Sequence, residues 1–205
     1  MMRVRIIFAV VSLAGAAFLL LLAADVNGWS ARFAADDLRY QANPVPGNLW
    51  MPEQVAPFGL ARNILGIQDD IKYRLALRSF RLGRPLESNL YGVKTSTMRA
   101  EAQVQMAEVA DHGNDLRRRS QAANLLGVIG FALAARDLAL RDTFLRDAVA
   151  SFRQSIALDP TNDDALFNLE FALQEQNVAE EQQQRGSADS NAGGNAGLKP
   201  PGNGF

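Results

Sequence analysis

The chain has 205 residues, enough for one folded domain with accessory segments. Its 21 basic and 22 acidic residues nearly cancel, which removes the strongly basic footprint that nucleic-acid binding usually leaves. There is no cysteine and a single histidine, His112, so thiol catalysis, disulfide staples and cysteine-held zinc are excluded.

Residues Ile6 to Ala24 carry no charge. As a helix this run would be about 28 Å long, close to the roughly 30 Å hydrocarbon core of a bilayer. Arg3 and Arg5 precede it and Asp25 ends it. That order predicts a transmembrane anchor over residues 1–25, with the N-terminus in the cytoplasm and the rest of the chain outside. Arg32 and Arg39 lie just beyond the run and weaken the charge bias. Trp29, about one turn further on, is expected in the headgroup layer. The competing expectation is a cleaved signal peptide, with Leu22-Ala23-Ala24 as the cleavage site. The run is longer than the roughly 7–15 residues of a signal core.

Residues 26–57 are expected to form a linker. Pro44, Pro46, Pro52 and Pro57 remove amide donors and restrict their predecessors, so no long helix fits there. Trp50 and Met51 are the apolar exceptions, expected to dock on the helical body.

Residues 58–185 have helical periodicity. Leu60, Ile64, Ile67, Ile71 and Leu75 recur at three- and four-residue steps. Gly66 is expected to stop a first short helix, with Asp69 or Asp70 capping a second that ends near Leu82. A loop follows over residues 83–95, then a helix over about Thr97 to Ala110. Asp115 can cap a helix running to about Ala135. Another helix begins near Leu138 to Arg141 and ends at Asp159-Pro160. A last one opens at Asn162 or Asp163 and fades into glutamates and glutamines. From Gly186 the composition predicts a disordered tail, residues 186–205. The expected fold is all-α: a transmembrane helix, an array of about five to six helices, and the tail.

Phe144 to Leu173 resembles a tetratricopeptide repeat. Ala148 and Phe152 stand four apart, Ile156-Ala157-Leu158-Asp159-Pro160 closes a helix, and Asn168-Leu169 lies in the next. In such repeats the small residue lets two helices approach, the aromatic fills the gap and the proline forces the turn. Asn124-Leu125-Leu126-Gly127 looks like the start of an upstream first helix, and Ala76 with Phe80 is a weaker echo. Ser155 departs from the alanine of the pattern and Glu170 from its glycine. The glutamate implies that the last helix is a cap. The overall layout is similar to small actinobacterial membrane proteins encoded beside MoxR-type ATPases and von Willebrand factor A proteins, the aerotolerance-operon class. That resemblance implies a bacterial membrane protein acting as scaffold or adaptor in a chaperone-like or envelope system.

Tests for chemistry come out blank. His112 beside Asp111 could act as a general base, but no nucleophile lies near it in sequence. Asp69-Asp70 and Asp163-Asp164 are explained by helix N-terminal charge compensation. No phosphate loop, nucleophile elbow or zinc helix is present. Arg117-Arg118-Arg119 reads as a solvated face, far along the chain from the anchor. The expectation is therefore a protein that is no enzyme, with no metal, no cofactor, no nucleic acid and no small-molecule ligand, that binds other proteins of the membrane or envelope. The resemblance implies a groove in which Asn168 and Asn124 bond a partner peptide. Arg117, Arg118 and Arg136 are candidate charge partners. Phe205 at the end of the Gly-rich tail is a candidate aromatic anchor for such a groove. The alternative is a structural subunit that packs its span against others through Gly15 and Ala14, Ala16 and Ala17.

Overall fold

A computed structural model describes residues 2–51, 53, 55, 62, 66–84 and 93–193. These residues form helices and connections, with no strand among them, so the chain is all-α as expected. The helices are α1 (Met2–Ala42), α2 (Ile67–Leu82), α3 (Val93–His112), α4 (Leu116–Ala134), α5 (Arg141–Leu158) and α6 (Asp163–Gly193). Two compact units divide the chain, Met1–Ala122 and Ala123–Phe205.

The first unit is organised by α1. Its early part is long and apolar enough to cross a membrane, with a mean hydropathy of 2.8 and none of that stretch buried. The helix does not stop at Asp25. It continues through residues 26–42, which sequence reasoning assigned to a linker. Phe18, Leu22, Asp25, Trp29, Phe33, Asp36 and Tyr40 recur at steps of three and four and are the more covered residues of α1. Trp29 is 2% exposed and clusters with Phe33, Leu49, Trp50 and Ile71, so it is a core residue, not a headgroup-facing one.

The segment after Ala42 folds back along α1. The Trp50 N–H donates to Asp36 at 2.8 Å and the Val55 N–H donates to Asp25 at 2.6 Å. The Trp50 indole donates to Asp37 at 2.7 Å. These bonds hold Trp50 at φ 56°, a left-handed conformation that costs a non-glycine residue about 1 kcal/mol or more. Trp50 thus docks as expected, whereas Met51 is exposed.

Three arginines of α2 tie down the end of α1. Arg81 donates to the Tyr40 and Gln41 carbonyls at 2.7 and 3.2 Å, and Arg78 to the Pro44 and Val45 carbonyls, both at 2.8 Å. Carbonyls at and just past a helix C-terminus lack intrahelical partners, and cations there complement the helix dipole. Arg74 donates to both oxygens of Asp37 at 3.0 and 2.9 Å, also pairs with Asp70, and lies 5.0 Å above the Phe33 ring. The Asp37 bonds come first among the causes that raise the Arg74 guanidinium above its ordinary value.

Gly66 is the N-cap of α2, at φ 63° where glycine is favoured. Asp69 and Asp70, expected as caps, lie inside the first turn. The short helix expected before Gly66 lies outside the described residues, apart from helical Arg62. Gly83 ends α2 with its N–H on Ser79 O at 2.9 Å. A Cβ there would stand 3.1 Å from the Arg99 backbone, so the glycine admits the close approach of α3. Helix α3 begins at Val93, inside the expected loop, and runs antiparallel to α2. Gly83 O meets Arg99 at 3.1 Å near one end, and Lys72 meets Glu108 at 3.2 Å toward the other.

Asp115 caps α4 as expected, accepting the Arg117 and Arg118 N–H groups at 2.9 and 3.1 Å. In the second unit, Asn162 caps α6 through the Ala165 N–H at 3.1 Å. Helix α6 continues to Gly193, past Gly186 where the composition predicted disorder to begin. Residues 194–205 lie outside the described residues.

Candidate interaction surface

The repeat-like residues converge in the second unit. Ala148, Val149, Phe152 and Ala172 form a buried cluster with Val128, Phe131, Leu169 and Leu173 packed against it. Phe152 lies over Gly127, and Ala148 lies over Gly130, whose added Cβ would be 3.4 Å from the Ala148 Cβ. Pro160 sits in the exposed turn between α5 and α6. Ser155, the departure from the repeat pattern, is fully buried, and its Oγ accepts the Asn162 side-chain N–H at 3.2 Å. Glu170, the second departure, points to solvent.

The two candidate asparagines meet each other. The Asn168 amide donates to Asn124 Oδ1 at 2.9 Å, joining α6 to α4. Asn124 is buried, and its Oδ1 acceptor is taken from within the chain. Asn168 is the more accessible of the pair. Arg136 is exposed just after α4. Arg117 and Arg118 belong to the first unit, where Arg118 is held by Asp70 at 2.8 Å and lies 6.0 Å from the Tyr73 ring centroid. Phe205 lies outside the described residues.

The more prominent surface of this unit escaped sequence reasoning. Phe167 is 69% exposed, and Leu166, Phe171 and Val178 are also exposed. Phe167, Phe171 and Val178 fall on one stripe of α6, at steps of four and seven. Phe171 stands 5.3 Å, centroid to centroid, from Phe131. Together they wall a cleft of about 310 Å³ that also touches Leu138 and Leu145. Its rim carries the ion pair Arg141–Glu175 at 3.0 Å. The signal was present, because Phe167 and Phe171 flank the inward stripe Ala165, Leu169, Ala172. Large apolar side chains grouped on a folded surface mark interaction sites.

His112 is exposed, with Nδ1 3.5 Å from Glu108 in the preceding turn. No group of three or more metal-ligating side chains forms among the described residues. The cleft around Asp37, Tyr40, Trp50, Tyr73 and Arg74 is about 340 Å³. Asp37, Asp70, Arg74 and Arg118 on its walls are already engaged with one another.

No protein-family model matches the chain, and neither a curated protein nor a solved structure is found similar to it.

Proposed function

We propose that this chain is a membrane-tethered adaptor that holds a partner protein through the second helical unit. The observation that carries the reading is the long apolar run of α1, none of it buried, leading without a break into the buried face of the first unit. The same continuity favours a retained anchor over a cleaved leader. Cleavage after Ala24 would cut α1 between Leu22, which packs on the core cluster, and Asp25, which holds the Val55 N–H. Arg3 and Arg5 ahead of the run favour a cytoplasmic N-terminus, which puts both units outside the cytoplasm.

Partner capture is assigned to the Phe167–Phe171 face of α6 and its cleft, with Asn168 as a polar neighbour on the same helix. An aromatic pair beside a shallow cleft with an ion-paired rim suits an apolar side chain of a partner peptide. Tethering adds effective concentration without chemistry.

Two measurements test this. Intact mass of the chain extracted from membranes should give the whole 22.3 kDa chain; a species lacking residues 1–24 would end the anchor reading. A photo-crosslinking residue at Phe167 should trap a discrete partner in membranes, with the membrane proteins and ATPases named by the sequence resemblance as first candidates. Phe167→Asp with Phe171→Asp should abolish copurification of that partner while the chain stays membrane-bound. Unchanged copurification would end the adaptor reading.

A further inference from the structure

The first unit has two ends along α1, and they differ. Ile71 of α2 packs with Trp29 and Phe33, while Arg81 reaches Tyr40 and Gln41. Helix α2 therefore runs parallel to α1, with its N-terminus toward the apolar run. Helix α3 returns antiparallel to α2, and the turn into α4 closes back at that same end. Asn114 hydrogen-bonds Asp69, Arg118 pairs with Asp70 at 2.8 Å, and the Tyr73 hydroxyl donates to Gln121 at 2.5 Å. The sequence separation between the arginine run and the apolar run is thus undone by the fold.

Heights along α1 follow from the helical rise. Trp29 stands about 6 Å past Asp25, at about 1.5 Å per residue. Asp69 precedes Ile71 and so lies at a similar level or lower. With Ile6–Ala24 in the hydrocarbon, the α3–α4 turn then falls within about 10 Å of its edge, level with the headgroup layer of about 5–7 Å and the reach of a long side chain.

The side chains at this end fit that setting. Leu116, the first residue of α4, is 57% exposed. On the returning segment Val55 is 61% exposed, directly beside Asp25. Lys72 and His112 share Glu108, and Arg119 donates to the Ala110 carbonyl at 2.8 Å. Arg117 is exposed, and its guanidinium enters none of these pairs.

We propose that this end of the first unit is a second membrane contact, with Leu116 and Val55 entering the headgroup layer and Arg117 meeting lipid phosphate. The occupant is the bilayer because the patch continues the exposed apolar surface of α1 at the level where that surface ends. The inference rests on the anchor reading.

The test uses the full chain, which has no native cysteine, in vesicles of phosphatidylcholine and phosphatidylglycerol. An environment-sensitive fluorophore is attached to Ser12→Cys, Leu116→Cys or Val45→Cys, and quencher lipids labelled near the headgroup or deep in the chains are added. Circular dichroism confirms that each labelled chain keeps its helices. Position 12 reports the span, and position 45, beside the Arg78 clamp, reports the far end. The expected result is strong quenching at 12 by the deep label, strong quenching at 116 by the shallow label, and little at 45. Quenching at 12 with position 116 as unquenched as 45 overturns this proposal and leaves the anchor standing. No quenching at 12 overturns both.

Discussion

The ring of Phe152 occupies the space that a side chain on Gly127 would need: a Cβ there would stand 2.5 Å from Phe152 Cε1. The contact brings α5 against the backbone of α4, and Phe152 is 1% exposed. Gly127→Ala should therefore destabilise the second unit. Overpacking of a closed site costs roughly 1–3 kcal/mol, against which the helix-propensity gain of alanine offsets only about 1 kcal/mol. Denaturant unfolding should show a net loss of up to about 2 kcal/mol, and any gain in stability would contradict the packing described.

Gly28 gives the opposite result. It lies within α1 and a Cβ there would meet nothing within 4 Å. Gly28→Ala should raise the stability of the first unit by about 0.5–1 kcal/mol through reduced freedom of the unfolded chain. The midpoint of thermal or denaturant unfolding reads it directly.

Asp36→Ala removes the carboxylate that accepts the buried Trp50 N–H and holds Arg32 at 2.8 Å and Arg39 at 3.1 Å. A buried donor left without an acceptor costs about 1–3 kcal/mol. Both tryptophans of the chain lie in this cluster. Their emission should shift to the red in the variant as the returning segment loosens. An emission maximum unchanged from the parent would show that Asp36 does not hold Trp50 in place.

Tyr73 makes a pH-dependent contribution. Burial pushes its phenol above the ordinary value of 10.0, with the nearby Arg118 guanidinium opposing the shift. A raised value in the folded state means that the unfolded chain loses its proton first. Stability is then fully present below about pH 10 and declines as pH rises through the tyrosine range. Tyr73→Phe should flatten that alkaline decline, measured by denaturant unfolding over a pH series. A decline equally steep in the variant would assign it elsewhere.

The second unit was largely legible in the sequence because its signals are local. Asn162 caps where a capping residue was expected, and Ala148, Phe152 and Leu169 pack as their spacing implied. The first unit was not, because its core face mixes polarity. Asp25 and Asp36 occupy the same stripe as Trp29 and Phe33, and a carboxylate in that position looks like solvent exposure. What reverses the reading is the backbone of Trp50 and Val55, brought alongside α1 by a segment whose prolines suggested a linker, with Trp50 and Met51 alone expected to dock. The outward phenylalanines of α6 were missed because the reading followed the inward stripe of that helix and gave the flanking apolar residues no role.

The arginine clamps on the last turn of α1 have a mechanical consequence. A flexible joint after the apolar stretch would let the folded body swing freely relative to it. Here the rod is unbroken to Ala42 and gripped at its outer tip by Arg78 and Arg81. Any torque applied to the first unit is delivered along α1 to its apolar N-terminal stretch as rotation or tilt.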